Sequence, residues 1–102
     1  MVYQLGWRPE ADAAMDALEA DPSMSMVVDA IDRILDRLEV DPFDPRLGTI
    51  PFQTPEFGGV CATPARRDDW YVLWQRGSTS NELVIILIHR LDLRRESRTQ
   101  EP

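Results

Sequence analysis

The stretch ELVIILIH, residues 82–89, followed by RLDLRRES to residue 97, decides how the rest of the chain is read. Residues 83–88 are apolar without a break, so there is no alternation to mark one wet face. A run this short and this rich in isoleucine reads as a central strand covered on both sides. It ends on His89, the only histidine of the chain, and Arg90, with Arg94, Arg95 and Arg98 close behind. Two readings follow. Either the strand is core and the arginines are a solvated tail, or the strand delivers His89 and Arg90 to a working surface.

Working back from it, GSTSN (77–81) has the composition of a hairpin loop. Before it, WYVLWQR (70–76) alternates cleanly, with Trp70, Val72 and Trp74 on one face and Tyr71, Leu73 and Gln75 on the other. VCATPA (60–65) predicts a weaker strand, pushed toward a sheet edge by Pro64. The segment 40–59, with Pro42, Pro45, Pro51, Pro55 and three glycines, predicts a long connecting loop. Upstream, Met24, Val27, Val28, Ile31, Ile34, Leu35 and Leu38 mark one continuous helical stripe, with Asp29, Asp32, Arg33, Asp36 and Arg37 off it. Ser23 or Ser25 can cap that helix. On its polar side, Asp29 and Arg33 attract at a spacing of four, whereas Asp32 and Asp36 repel. Ala11, Ala14, Met15 and Leu18 mark an earlier helix opened by Pro9, and Tyr3, Leu5 and Trp7 alternate as a first strand. The expected fold is therefore α+β: a small antiparallel-rich sheet with a helical hairpin on one face, in the order β-α-α-β-β-β.

At 102 residues the chain fits a single domain. No window approaches the roughly 18 apolar residues of a membrane span, and the N-terminus does not read as a secretory signal. Cys61 is the only cysteine, which excludes an internal disulfide and a cysteine-rich zinc site. No cofactor or metal is expected, and a reducing cytoplasm is the default address. A net charge of −7 argues against indiscriminate nucleic-acid binding. The charge is uneven: residues 1–56 hold twelve acids and four arginines, residues 57–102 six acids and seven arginines. An anionic partner would thus find its charge in the second half. Lysine is absent, so proton transfer would fall to His89, carboxylates or tyrosines.

Four stretches together resemble the RelE/ParE toxin superfamily of bacterial toxin–antitoxin pairs. VYQLGWRPEADAAMDAL (2–18) is similar to its first strand and helix, and VDAIDRILDRLEVDP (28–42) to its second helix. DDWYVLWQR (68–76) is similar to its hairpin strand, and ILIHRLD (86–92) to a last strand that ends in His-Arg. The resemblance implies the same fold over residues 2–93 and a cognate antitoxin as partner. It implies one of three activities: a RelE-type endoribonuclease acting on mRNA in the ribosome, a ParE-type DNA gyrase inhibitor without catalysis, or a non-toxic interaction module. His89 and Arg90 match the family's functional pattern residue for residue, as proton-transfer group and phosphate-stabilising cation. The chain departs from that pattern at Tyr71, where the family has a strand arginine, and after residue 90, where a tyrosine is lacking.

RNA cleavage through the 2′-hydroxyl needs a base, an acid and cations for the phosphorane, and histidine is the side chain that titrates near neutrality. His89 could equally just end its strand. Arg66 and Arg67 stand where they could replace the strand arginines, or could form a turn balanced by Asp68 and Asp69. Arg94 and Arg95 suit phosphate contact or a solvated terminus. Trp70 and Trp74 belong under the helices, leaving Tyr71 as the aromatic for a site on the opposite face. Cys61 reads as a small buried side chain.

Overall fold

The computed structural model describes residues 2–91. The chain runs β1 (Gln4–Trp7), α1 (Pro9–Glu19), α2 (Ser25–Val40), β2 (Ile50–Thr54), β3 (Gly58–Pro64), β4 (Trp70–Arg76) and β5 (Glu82–Arg90), with short 3₁₀ turns at Pro22–Met24 and Pro45–Leu47. The five strands form one sheet in the order β1-β5-β4-β3-β2. β1 lies parallel to β5, and the other pairings are antiparallel. This is the α+β arrangement expected, and β5 is interior as its apolar run requires.

Two expectations are corrected. The segment 40–59 is not all loop, because Ile50–Thr54 forms β2, the edge strand beside β3. An edge strand needs only half of its N–H groups for the ladder, so Pro51 fits there. Ile50 and Phe52 alternate around it onto the sheet. In turn β3 is not an edge but lies between β2 and β4. Its Pro64 sits two residues past Ala62, the partner of the first β2 residue Ile50, so no β2 carbonyl awaits the missing N–H. The helix caps also differ. Asp21 accepts from the Ser23 N–H (3.0 Å) to start the 3₁₀ turn, and α2 begins without a side-chain cap.

Both helices lie on one face of the sheet. Ala11, Met15 and Leu18 of α1 and Val27, Ile31, Ile34, Leu35 and Leu38 of α2 bury against Val72, Trp74, Leu83, Ile85 and Ile88. Within this layer Thr63 is fully buried, as is Trp74 at 1% exposure. The indole Nε1–H donates to Thr63 Oγ1 (2.9 Å), and Thr49 Oγ1 lies 2.7 Å from the same oxygen. Replacing Thr63 with valine keeps the shape but strands the indole donor, so Thr63→Val should destabilise by about 1–3 kcal/mol in urea unfolding.

The outer side of α2 carries the repulsion read from the sequence. Partial burial, then the charges of Asp36 and Asp29, raise the pKa of Asp32. A carboxyl with a raised folded pKa holds its proton more tightly folded than unfolded. Its ionisation penalty is therefore absent in acid and appears as pH rises through the folded value. Asp32→Asn should gain a few tenths of a kcal/mol at pH 7, consistent with an exposed like-charge pair, and nothing at pH 3. Thermal melts at the two pH values measure this.

Candidate functional site

The face of the sheet away from the helices carries Val60, Ala62, Leu73 and Ile86, with Ile50, Phe52, Phe57, Tyr71, Val84, Leu87 and Leu91 packed on them. Its geometry depends on the ladder between β4 and β5. Leu73 stands opposite Leu87 but Trp74 opposite Ile85, so Ile86 has no partner and forms a bulge. Strict alternation from Leu83 and Ile85, both on the helix side, would send Leu87 and His89 there too. The extra residue reverses the phase. Ile88 joins the helix-side core, and His89 falls opposite Tyr71 on the open face.

His89 is exposed and lines a largely apolar hollow of about 300 Å³ together with Phe52, Phe57, Leu73, Ile86 and Leu87. Phe57 is brought there by the β2–β3 turn. Its N–H bonds Thr54 Oγ1 (3.0 Å), and its carbonyl accepts from Gln75 Nε2 (2.9 Å). The Arg8 guanidinium stacks over the Phe57 ring, 4.6 Å from its centroid, and so puts a cation beside this face. Sequence reasoning missed Arg8, Phe52 and Phe57. The alternation of Ile50 and Phe52 about Pro51 was the available signal for the strand, whereas the Arg8 contact joins elements far apart in sequence.

Arg90 directly follows His89 and therefore points to the other side, opposite Trp70. Its Nε donates to the Asp68 carbonyl (3.2 Å), and the Leu91 N–H donates to that of Asp69 (3.0 Å). The end of β5 is thus held by the β3–β4 turn. That turn has three non-glycine residues at positive φ: Arg66 (62°), Asp68 (51°) and Asp69 (62°). Aspartate tolerates this region, but an arginine there is strained. The turn sends Arg66 and Arg67 toward α2, where they line a separate cleft with Arg33, Arg37 and Arg46. His89 and Tyr71 share the open face. Arg66 and Arg67 line both the helix-side cleft and a hollow at the β3–β4 turn that Trp70 and Tyr71 also line, and Arg90 sits at the sheet end near that turn. Arg94 and Arg95 lie outside the described residues. Burial raises the pKa of the half-buried Cys61 thiol, which opposes thiolate chemistry there.

No family model matches the chain, and no curated protein matches it in sequence. Solved structures do. The YoeB/ParE toxin from Agrobacterium tumefaciens superposes with a TM-score of 0.69 at 11% identity, over 87% of this chain and 99% of that one. The chain has the RelE/ParE toxin fold. The archaeal RelE–RelB complex from Pyrococcus horikoshii matches with a TM-score of 0.63 at 14% identity, over 88% of this chain and 96% of that one. The toxin–antitoxin complex RelBE2 from Mycobacterium tuberculosis matches at 0.60 and 17% identity, over 89% and 100%. On this RelE/ParE frame, no helix among the described residues is long and apolar enough to cross a membrane.

The strain at Arg66 is open to measurement. Arg66→Gly should raise stability by up to about 1 kcal/mol, the left-handed penalty less the extra freedom glycine gives the unfolded chain. A rise in the urea midpoint would show it, and a fall would mean that the side chain contributes more than its backbone costs.

Proposed function

We propose that this protein is the toxin of a type II toxin–antitoxin pair and acts as a RelE-type endoribonuclease on mRNA in the ribosome. The shared fold supports the toxin reading, and the two neighbours solved as toxin–antitoxin complexes support an antitoxin partner. The observation that carries the catalytic reading is the pairing of His89 with Tyr71 across the open face. Cleavage begins when a base removes the 2′-hydroxyl proton and that oxygen attacks the adjacent phosphorus. The bond to the 5′-oxygen then breaks as an acid protonates it, leaving a 2′,3′-cyclic phosphate and a 5′-hydroxyl. In this reading His89 takes the first proton and the Tyr71 hydroxyl is the group within cross-strand reach to supply the second. Arg8, which lies over Phe57 and pairs with Glu10 (3.4 Å), would supply a cation for the phosphorane by exchanging that carboxylate for phosphate. The Phe52 and Phe57 rings of the hollow beside His89 would take a base. Arg90, aimed to the other side, would position the end of β5 through Asp68 or meet a phosphate beyond the sheet's end, with Arg94 and Arg95 as further phosphate contacts.

A second reading, inhibition of DNA gyrase without catalysis, draws on the apolar character of the same face: a hollow lined by Phe52, Phe57, Leu73, Ile86 and Leu87 suits a protein surface as well as a base. Primer extension on mRNA from a bacterial translation extract separates the two. Ribosome-dependent cleavage by the wild type, lowered about 100-fold or more in His89→Ala, is the expected result for loss of a proton-transfer group. Tyr71→Phe should fall in the same direction. Intact mRNA at saturating folded protein would sink the nuclease reading, and gyrase-linked DNA breaks would then favour the second.

A further inference from the structure

Among the described residues, Met26 is the one methionine left in solvent. It is 59% exposed, whereas Met15 is buried at 7% and Met24 packs half-buried against the core. Met26 stands in the first turn of α2, and its Sδ accepts a hydrogen bond from Arg67 Nη2 of the β3–β4 turn (3.0 Å), 41 residues away in sequence. A thioether is a weak acceptor. Among the described residues, no carboxylate lies within 4.0 Å of Arg67, although Asp29 lines the same cleft. The contact therefore joins a charged donor to a much weaker acceptor than it could hold.

Oxidation changes that acceptor. A sulfur lone pair attacks the terminal oxygen of a hydroperoxide, the O–O bond breaks, and the proton of the transferred oxygen passes to the departing one. The thioether is oxidised to the sulfoxide, and the peroxide is reduced to water or an alcohol. The new S–O oxygen can take the Arg67 N–H as a charge-assisted hydrogen bond. At Met15 the same dipole would have to enter an apolar core, which destabilises. Met26 is already more than half wet, so that cost is small and the stronger bond decides the sign. We propose that Met26 is a site of reversible oxidation by hydroperoxides, and that Arg67 captures its sulfoxide and fastens α2 to the β3–β4 turn. That turn holds the end of β5, through the Asp68 carbonyl to Arg90 Nε (3.2 Å) and the Asp69 carbonyl to the Leu91 N–H (3.0 Å). Oxidation at Met26 is thus felt at the strand that carries His89, and it stands whatever the open face binds.

Hydrogen peroxide is the probe, applied to the full chain, with each oxidised position assigned by fragment-ion mass spectrometry. Met26 should convert several-fold faster than Met24 or Met15, and methionine sulfoxide reductases should return it. The oxidised chain should have a higher urea midpoint. Its Leu91 N–H should exchange with solvent several-fold more slowly, because the turn that holds it opens less often. Met26→Leu removes the sulfur but keeps an apolar helix former, and it should lose both responses. That control separates them from oxidation at Met1, Met24 or Cys61. Arg67→Ala should oxidise at Met26 but gain neither stability nor protection, while Arg67→Lys keeps a charged donor and should retain part of the gain. The proposal is overturned if Met24 or Met15 oxidises before Met26, if oxidation lowers the urea midpoint, or if Arg67→Ala gains as much as the wild type.

Discussion

An unpaired residue in the middle of the sheet sets the surface on which everything else depends. Because Ile86 is extra in the β4–β5 ladder, the side chains of β5 change phase between Ile85 and Ile88. Two consecutive apolar residues, Ile86 and Leu87, then serve the open face, and Ile88 returns to the core under the helices. The unbroken apolar run of β5 is what makes the change tolerable, since either phase buries aliphatic side chains. A strand with one polar face could not have shifted without exposing its core residues. The bulge thereby commits His89 to the face of Tyr71 and Arg90 to the face of Trp70.

The two faces reached in this way have different physical characters. On the helix side, burial of α1 and α2 against Trp74 and its neighbours dominates, and Thr63, the one fully buried polar side chain among the described residues, is satisfied by Trp74 and Thr49. The open face is a shallower apolar layer, and the β2–β3 hairpin curls over it far enough for Phe57 to meet Arg8 from the start of α1. A protein surface that is apolar in the middle, with an imidazole, a phenol and a guanidinium placed around it, suits an extended ligand that both stacks and carries charge. The β3–β4 turn joins the two faces. It anchors the end of β5 through the carbonyls of Asp68 and Asp69 while presenting Arg66 and Arg67 to α2. Positive φ at three of its residues shows how tightly that double duty constrains the backbone.

Much of this was legible in the residues. The α2 stripe from Met24 to Leu38 and the alternation of Trp70, Val72 and Trp74 each predicted an element and the face it buries, because local periodicity reports burial directly, whereas the unalternating apolar run of β5 predicted an interior strand but no single face. The α+β class followed, and the solved toxin structures bear out the resemblance at the level of fold. Where the reading failed, proline was weighed by type rather than by place. Pro51 is acceptable because β2 is an edge strand, and Pro64 because it lies past the end of β2. Strand order is a long-range property, so neither position could be recognised from its neighbours in sequence.

For the site, the sequence by itself determined the inventory: one histidine, no lysine, one cysteine, and arginines concentrated late in an acidic chain. It determined also that His89 lies near the end of an interior strand. Only the tertiary structure decided which groups meet. It separated His89 from Arg90, set His89 opposite Tyr71, brought Arg8 onto Phe57 and gathered Arg33, Arg37, Arg46, Arg66 and Arg67 around one cleft. The physical reason is the same in each case. A composition and a period specify what a segment buries, but a one-residue bulge and the crossing of a helix over a turn depend on pairings between segments far apart in the chain.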